Sequence, residues 1–395
     1  MALAIIRTLC GAFSGNVAYV LATLVPKQPD LWLFGAWSGT KFLDNPKHMF
    51  LYARKSCPDV RAIWITKEKA LAGDLSSRNI PALYAYSWQG IWTQLRASVV
   101  VFTHSVNGEF VSGLIARRVR KIQTWHGLPI KKIDYDDRRS GDLRIMNRRK
   151  ALFFPHLSDR VDLVLAVSDE DRAIFQRAFN VRADRVVVTG YPRNDVLPPE
   201  QERPMRAPCR IIYMPTFRGD PHSEFRLFED SGFNPARLDR LLAEKNVHLV
   251  IKLHPVQKLS AKDRSEIQVA RNISLLENVS DIYESLHEFD GLMTDFSGIY
   301  FDFLLTGRPI VMAPFQHDSY LKHDREIYYN YDDLCPMGAC ENWDQALAQF
   351  DAIARGRYEF SKYRGLQQRF HTHRDRAASH RAIEAIRHLQ GNRET

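Results

Sequence analysis

From about residue 29 onward the chain alternates short apolar runs with amphipathic stretches. Leu31–Phe34 predicts a buried strand closing at Gly35, Asp44–Lys55 a helix with cap signals, and Val60–Ile65 the next strand. Val99–Thr103, Lys121–Thr124 and Leu163–Ala166 extend the strand series, Ser168 caps a helix running to Phe179, and Val186–Val188 adds another strand. The stretch Tyr191–Pro208 then carries five prolines (192, 198, 199, 204 and 208) among charges, which is linker composition. The alternation restarts with strands at Arg210–Met214, Val247–Leu253, Gly291–Met293 and Pro309–Met312. Helices are predicted at Asn234–Glu244, Asp281–Glu288 and Ser297–Leu305, and a basic helical stretch from Trp343 onward.

Strands alternating with helices imply parallel sheets covered on both faces. Two such series across a linker predict an α/β protein with two Rossmann-like domains facing a cleft. The expected segments are 1–27, 28–195, a linker 196–208, 209–375, and a basic C-terminal helix 376–395. Ligands of such sheets sit beyond the carboxyl ends of the strands.

The amino-terminal segment differs from the rest. Between Leu3 and Val25 the only charge is Arg7, and Pro26-Lys27 closes the run. A cleaved signal would place its charge ahead of the apolar run, and Arg7 lies inside it. A spanning helix needs about 20 apolar residues, and Gly11, Ser14, Gly15 and Asn16 dilute this one. A helix lying in the membrane interface fits best, with the body held peripherally on the cytoplasmic side.

Composition narrows the partners. The 395 residues are ample for two cores, and the net charge of +9 with an isoelectric point near 9.3 favours anionic partners: nucleic acid, lipid headgroups or an acidic polymer. Five cysteines without a Cys-x-x-Cys pair suggest neither a disulfide framework nor a zinc site. The clusters Arg117-Arg118, Arg120-Lys121 and Arg148-Arg149-Lys150 read as solvated faces that can also meet an anionic acceptor or membrane.

Five predicted strand ends carry polar residues that packing does not require. The first is Gln123-Thr124-Trp125-His126-Gly127-Leu128-Pro129 with Lys131 and Lys132 beyond it; its imidazole suits proton transfer near neutral pH, although in isolation a histidine hydrogen-bonded inside a turn is the better explanation. The second is Lys252-Leu253-His254-Pro255, where strand alternation would put Lys252 and His254 on one face, suited to a pyrophosphate. In the third, Thr294-Asp295-Phe296-Ser297-Gly298, Asp295 or Ser297 can cap a helix whose first turn binds an anion, with Asp302 on the same face. The fourth is Tyr213-Met214-Pro215-Thr216-Phe217-Arg218 and the fifth Gly190-Tyr191-Pro192-Arg193-Asn194-Asp195; each holds an arginine able to clamp phosphate or tie down the linker. Gly35–Lys41 has the composition of a phosphate loop but the wrong order, and no dinucleotide, hydrolase or zinc-protease motif occurs.

These five segments, in this order across about residues 100–315, resemble the teichoic-acid glycerophosphotransferase family, the CDP-glycerol-dependent primases and polymerases and their CDP-ribitol relatives. The resemblance implies a GT-B-like architecture, a membrane-associated amino terminus, no cofactor and no catalytic metal. It also implies transfer of a polyol phosphate from CDP-glycerol or CDP-ribitol to a hydroxyl of a lipid-linked or polymeric acceptor, releasing CMP. By motif position His126 and His254 would be the essential pair, and Gly127, Arg193, Pro215, Thr216, Lys252, Asp295, Ser297, Gly298 and Asp302 would line the substrates. The family often has Thr where Leu128 stands and Tyr-Ser-Ser where Phe296-Ser297-Gly298 stands. His126 is assigned as base on the acceptor and His254 with Lys252 to the pyrophosphate; an exchange of the two histidine roles fits the motifs equally. A GT-B glycosyltransferase using a nucleotide sugar is the rival reading. A nucleic-acid binder is disfavoured, because the ordered motifs sit at strand ends rather than on a basic, aromatic surface.

Overall fold

The computed structural model describes residues 14–137, 149, 152–158, 160–198, 206–216, 224–225, 227–228, 234–254, 257–277, 281–315, 326–359 and 361–391. The expected leader residues 1–13, Arg148, Lys150, Phe217, Arg218, Pro255 and most of the proline-rich linker lie outside these. The described chain divides into two compact units. One is drawn from Met1–His126, Asp134–Asp195 and Thr372–Thr395, the other from Gly127–Ile133 and Val196–His371.

In the first unit seven strands, β1 (Gln28–Phe34), β2 (Arg61–Thr66), β3 (Ala82–Tyr84), β4 (Ala97–Phe102), β5 (Arg120–Gln123), β6 (Leu163–Ala166) and β7 (Val186–Val188), form a sheet of order 3-2-1-4-5-6-7. Every neighbouring pair is parallel. The order reverses between β1 and β4, and it is at such a switch point that doubly wound sheets open a crevice. Helices α1 (residues 14–24), α2 (Asp44–Ser56), α3 (Lys69–Ser77), α4 (Trp88–Arg96) and α5 (Val106–Glu109) precede or connect the first strands. Phe34, Phe50 and Trp64 pack edge to face, with centroids 5.5 and 5.8 Å apart, in a core closed by Ala382, Ile383 and Ile386. Each such ring contributes about 1.5–3 kcal/mol by its burial.

Those last three residues belong to the helix Ala378–Gly391, expected as a separate basic appendage and found as a wall of the first unit. Its start is held by a distant cap: the backbone amides of Ala378 and Ser379 donate to the two carboxylate oxygens of Asp195 at 2.9 and 2.8 Å. Asp195 thus serves a helix end rather than a linker, and Pro192–Val196 is itself a 3-10 turn. The helix Asp169–Ala178 starts at Ser168 as expected, with its hydroxyl accepting from the Asp171 amide.

The second unit is built on β8 (Cys209–Met214), β10 (Val247–Ile251), β12 (Ile273–Leu275), β13 (Gly291–Thr294) and β14 (Ile310–Met312), ordered 12-10-8-13-14 and parallel throughout. Two short strands, β9 (Glu224–Phe225) and β11 (Lys258–Leu259), pair beside it. Tyr213, Leu249, Met293, Trp343 and Phe350 form its core. The segment 127–133, expected in the first domain, groups here: Lys132 donates its amide to the Glu326 carbonyl at 2.7 Å and Ile130 accepts from the Tyr328 amide at 2.8 Å. Two helical elements are shorter than periodicity predicted. Asp281–Glu288 resolves into two 3-10 turns, and the helix expected from Ser297 occupies only Ile299–Leu304.

Candidate active site

In the first unit the chain leaves β5 through Thr124, whose amide and hydroxyl both bond the Phe102 carbonyl at 2.9 and 3.2 Å. Trp125 follows in the left-handed region with φ 53°, and Gly127 takes φ 136°, where a side chain would be strained. This reversal stands the half-buried His126 out of the sheet edge. Its ring lies 4.2 Å from that of Trp125 and 4.5 Å from that of His104, the latter nearly parallel at 21°.

The backbone of this turn is tied to α2. The Asn45 side-chain amide donates to the Thr124 and Trp125 carbonyls at 3.3 and 3.1 Å. Arg193 donates to the His126 carbonyl and to Asp44, each at 2.8 Å, and Trp37 donates to the other Asp44 oxygen at 3.0 Å. Arg193 was expected at the donor phosphates. It is instead buried in the first unit, with only 4% of its side chain exposed and Asp44 as its ion partner. A guanidinium already desolvated and paired in this way orients the histidine turn.

In the second unit Lys252 and His254 follow the carboxyl end of β10. The strand stops at Ile251, so alternation does not set their facing as the sequence suggested; the Lys252 amide bonds back to the Tyr213 carbonyl at 2.9 Å. Burial pushes the Lys252 ammonium below its ordinary range, with Asp281 opposing that shift. Burial also pushes the His254 imidazole down, and the neighbouring Lys252 and Lys131 charges push it further. His254 is therefore held toward its neutral form, first by burial and then by a pair of ammonium groups whose field suits a polyanion. Lys131 was noted in sequence only as flanking the first motif. Its part in this cluster follows from segment 127–133 grouping with the second unit.

The remaining predicted donor residues form a scaffold around the ends of β8 and β13. Asp295 is fully buried, and one carboxylate oxygen accepts from the amides of Thr216 and Phe296, each at 2.7 Å, and from the Thr216 hydroxyl. It therefore joins two loops and caps no helix. The helix Ile299–Leu304 has Gly298 at its N-cap and no side-chain cap, so the capping role expected of Ser297 is absent too. Asp302, expected beside the helix start, is buried and accepts from the Tyr283 hydroxyl at 2.7 Å. Pro215 is buried, while Ser297 and Gly298 are partly exposed. A Cβ on Gly298 would stand 2.8 Å from the Leu128 carbonyl oxygen. Among the described residues no group of three or more His, Cys, Asp or Glu side chains could hold a metal.

Away from these clusters α1 lies on the first unit through small residues. Gly15 packs against His156, Ala22 is fully buried, and Asn16 bonds the His156 ring at 2.8 Å. Its outer side exposes Val17, Val20, Leu21 and Leu24, and α4 exposes Trp88 and Trp92 with rings stacked at 9°. Lys27 links the two helices by donating to the Ala22 and Leu95 carbonyls. No helix among the described residues is long and apolar enough to cross a membrane.

The chain matches the family described as CDP-Glycerol:Poly(glycerophosphate) glycerophosphotransferase over residues 17–388. It is 27% identical over 388 residues to the teichoic acid glycerol-phosphate transferase of Staphylococcus aureus (strain NCTC 8325 / PS 47), covering 93% of this chain and 96% of that relative. It is also 27% identical over 331 residues to the teichoic acid poly(glycerol phosphate) polymerase of Staphylococcus epidermidis (strain ATCC 35984 / DSM 28319 / BCRC 17069 / CCUG 31568 / BM 3577 / RP62A), covering 77% of this chain and 43% of that relative. Among solved structures, that of the wall teichoic acid polymerase TagF is similar with a TM-score of 0.73, 19% identity and 99% coverage of both chains.

Proposed function

Because the chain belongs to the CDP-glycerol:poly(glycerophosphate) glycerophosphotransferase family, we propose that it transfers glycerol phosphate from CDP-glycerol to a hydroxyl of a membrane-linked teichoic-acid-like acceptor and releases CMP. The observation that carries this reading is the gathering of Lys131, Lys252 and a neutral-leaning His254 beyond β10, a setting matched to a pyrophosphate. In this reading the two parallel-sheet units are the halves of a GT-B-like enzyme, and the second holds the donor.

The acceptor oxygen attacks the β-phosphorus, the bond from that phosphorus to the bridging oxygen breaks, and CMP departs with its electron pair. The acceptor proton passes to His126. Lys252 and Lys131 balance the charge that builds on the bridging and non-bridging oxygens, where positioning and charge stabilisation supply most of the rate. Gly298 lets backbone approach the Leu128 carbonyl, Gly127 lets the histidine turn reverse, and Asp295, Thr216 and Pro215 keep the two loop ends in register. The exposed apolar residues of α1 and α4, with the chain's net positive charge, support peripheral attachment to an anionic membrane surface.

The test is CMP release from purified protein supplied with CDP-glycerol, CDP-ribitol or a nucleotide sugar, together with a lipid-linked or polymer-fragment acceptor. Acceptor-dependent CMP release with CDP-glycerol is expected. Turnover confined to CDP-ribitol would change the transferred polyol, and turnover confined to a nucleotide sugar would replace the reading with a glycosyltransferase.

A further inference from the structure

His104, which no sequence motif singled out, stands just beyond the carboxyl end of β4 and stacks on His126 at 4.5 Å. Its Nδ1 lies 2.8 Å from the Thr103 hydroxyl and 3.3 Å from Oε1 of Glu109, a fully buried carboxylate. The Thr103 hydroxyl donates its single proton to Glu109 at 2.8 Å and accepts the Trp37 amide at 3.0 Å. Toward the imidazole it can therefore only accept. This assigns the ring proton of His104 to Nδ1 and the lone pair to Nε2. The backbone amides of His104 and Ser105 also donate to Glu109, at 3.1 and 3.0 Å, which holds the carboxylate in place. His104 also lines a cavity of about 320 Å³ within the first unit, with Trp125 and Phe179 among its walls.

We propose that His104 is a positioning residue for His126, and that Glu109 behind it supplies the negative charge that favours the imidazolium formed when His126 takes a proton. A flat ring 21° from parallel limits how His126 can turn. A stacked neutral imidazole also tolerates a cation on its partner, whereas two imidazolium rings at this distance would repel. Thr103 and Glu109, both accepting toward Nδ1, keep the ring proton of His104 on that nitrogen. The inference rests on His126 being the acceptor-side base.

The charged groups around the ring pair are Asp44 of α2, Arg193, Glu109 of α5, Lys67 after β2, and Asp134 and Arg160 across the cavity. All except Glu109 are kept in the variants. In Glu109→Gln, the acid limb of the kcat profile for CMP release should move to lower pH by about half a unit, because removing a negative neighbour makes His126 easier to deprotonate. KM for CDP-glycerol should stay unchanged. His104→Ala should lower kcat about tenfold, and His104→Phe, which restores a flat ring, should recover part of that loss. A merely structural role would lower activity equally at every pH, and that result overturns the proposal.

The pH titration of the His126 ring resonances in the full-length protein gives a second readout that needs no turnover. Its midpoint should fall in folded Glu109→Gln, and an unchanged midpoint counts against the proposal. Should Glu109→Gln fail to fold, His104→Asn is read by kcat, and an unchanged kcat overturns the idea. Absence of CMP release by the wild-type protein would remove the functional reading, while the titration would still decide the role of Glu109.

Discussion

A Cβ placed on Gly298 would come within 2.8 Å of the carbonyl oxygen of Leu128. These are two positions at which the chain departs from the pattern of the family it resembles, and within the second unit they touch. Backbone rather than a flexible side-chain end is the obstacle, so the neighbour cannot simply swing aside. Gly298→Ser should therefore displace segment 127–133. The expected result is a loss of about 1–3 kcal/mol in stability, typical of overpacking, with lower activity than wild type. Thermal denaturation and CMP release measure both; a variant with wild-type stability and rate would show that the loop yields freely.

His126→Ala should lower turnover by about 10²–10⁴-fold, the usual contribution of general base catalysis. Its melting temperature should change little, because the turn is held by Asn45 and Arg193 through backbone carbonyls rather than through the imidazole. Retention of wild-type turnover would remove His126 from the reaction.

Arg193 separates a structural role from a donor-binding one. Removing one partner of a buried ion pair costs about 3–5 kcal/mol, and Arg193→Ala leaves Asp44 without the guanidinium it meets at 2.8 Å. A large fall in melting temperature is expected. A well-folded variant with a raised KM for CDP-glycerol would restore Arg193 to the donor site.

The second unit should respond to pH through His254. Burial and two neighbouring ammonium groups depress its pKa below 6.5, so the unfolded chain binds its proton at higher pH than the folded one does. Stability from this group is present above about pH 6.5 and is lost as pH falls toward the folded-state value. Lys252→Met removes one repulsive charge, so the His254 midpoint should rise in an NMR titration while staying below the ordinary value, because burial is the larger cause. No movement would mean that Lys252 and His254 do not interact.

The exposed apolar residues of α1 and α4 predict membrane binding that depends on both helices. Leu21→Glu with Leu24→Glu, or Trp88→Ala with Trp92→Ala, should each weaken co-sedimentation with anionic vesicles, and added salt should weaken it further. Binding indifferent to all four substitutions would place the attachment elsewhere.

The alternation of apolar runs was enough to locate all seven strands of the first sheet except β3, where Ala82-Leu83-Tyr84 lacks the β-branched run that marks the equally short Val186–Val188. The cap residue Ser168 was likewise visible, since a capping side chain acts on an amide three residues away. The motifs also held His126, Lys252 and His254, because strand-end chemistry is written in consecutive residues. Local pattern could not reveal pairings between distant segments. Asp195 caps a helix 183 residues later, Arg193 meets Asp44 across 149, and segment 127–133 joins residues 326–328. His104 and Glu109 escaped notice for the same reason: an imidazole and a carboxylate five residues apart look ordinary until β4 and β5 lie side by side and bring one ring over another. The sequence by itself determined the alternating α/β pattern and which polar residues stand at the strand ends, because burial and capping act over a few residues. Only the tertiary structure decided which charged groups gather beyond the strand ends and which hold the frame, because that depends on desolvation and on partners the chain brings together from far apart.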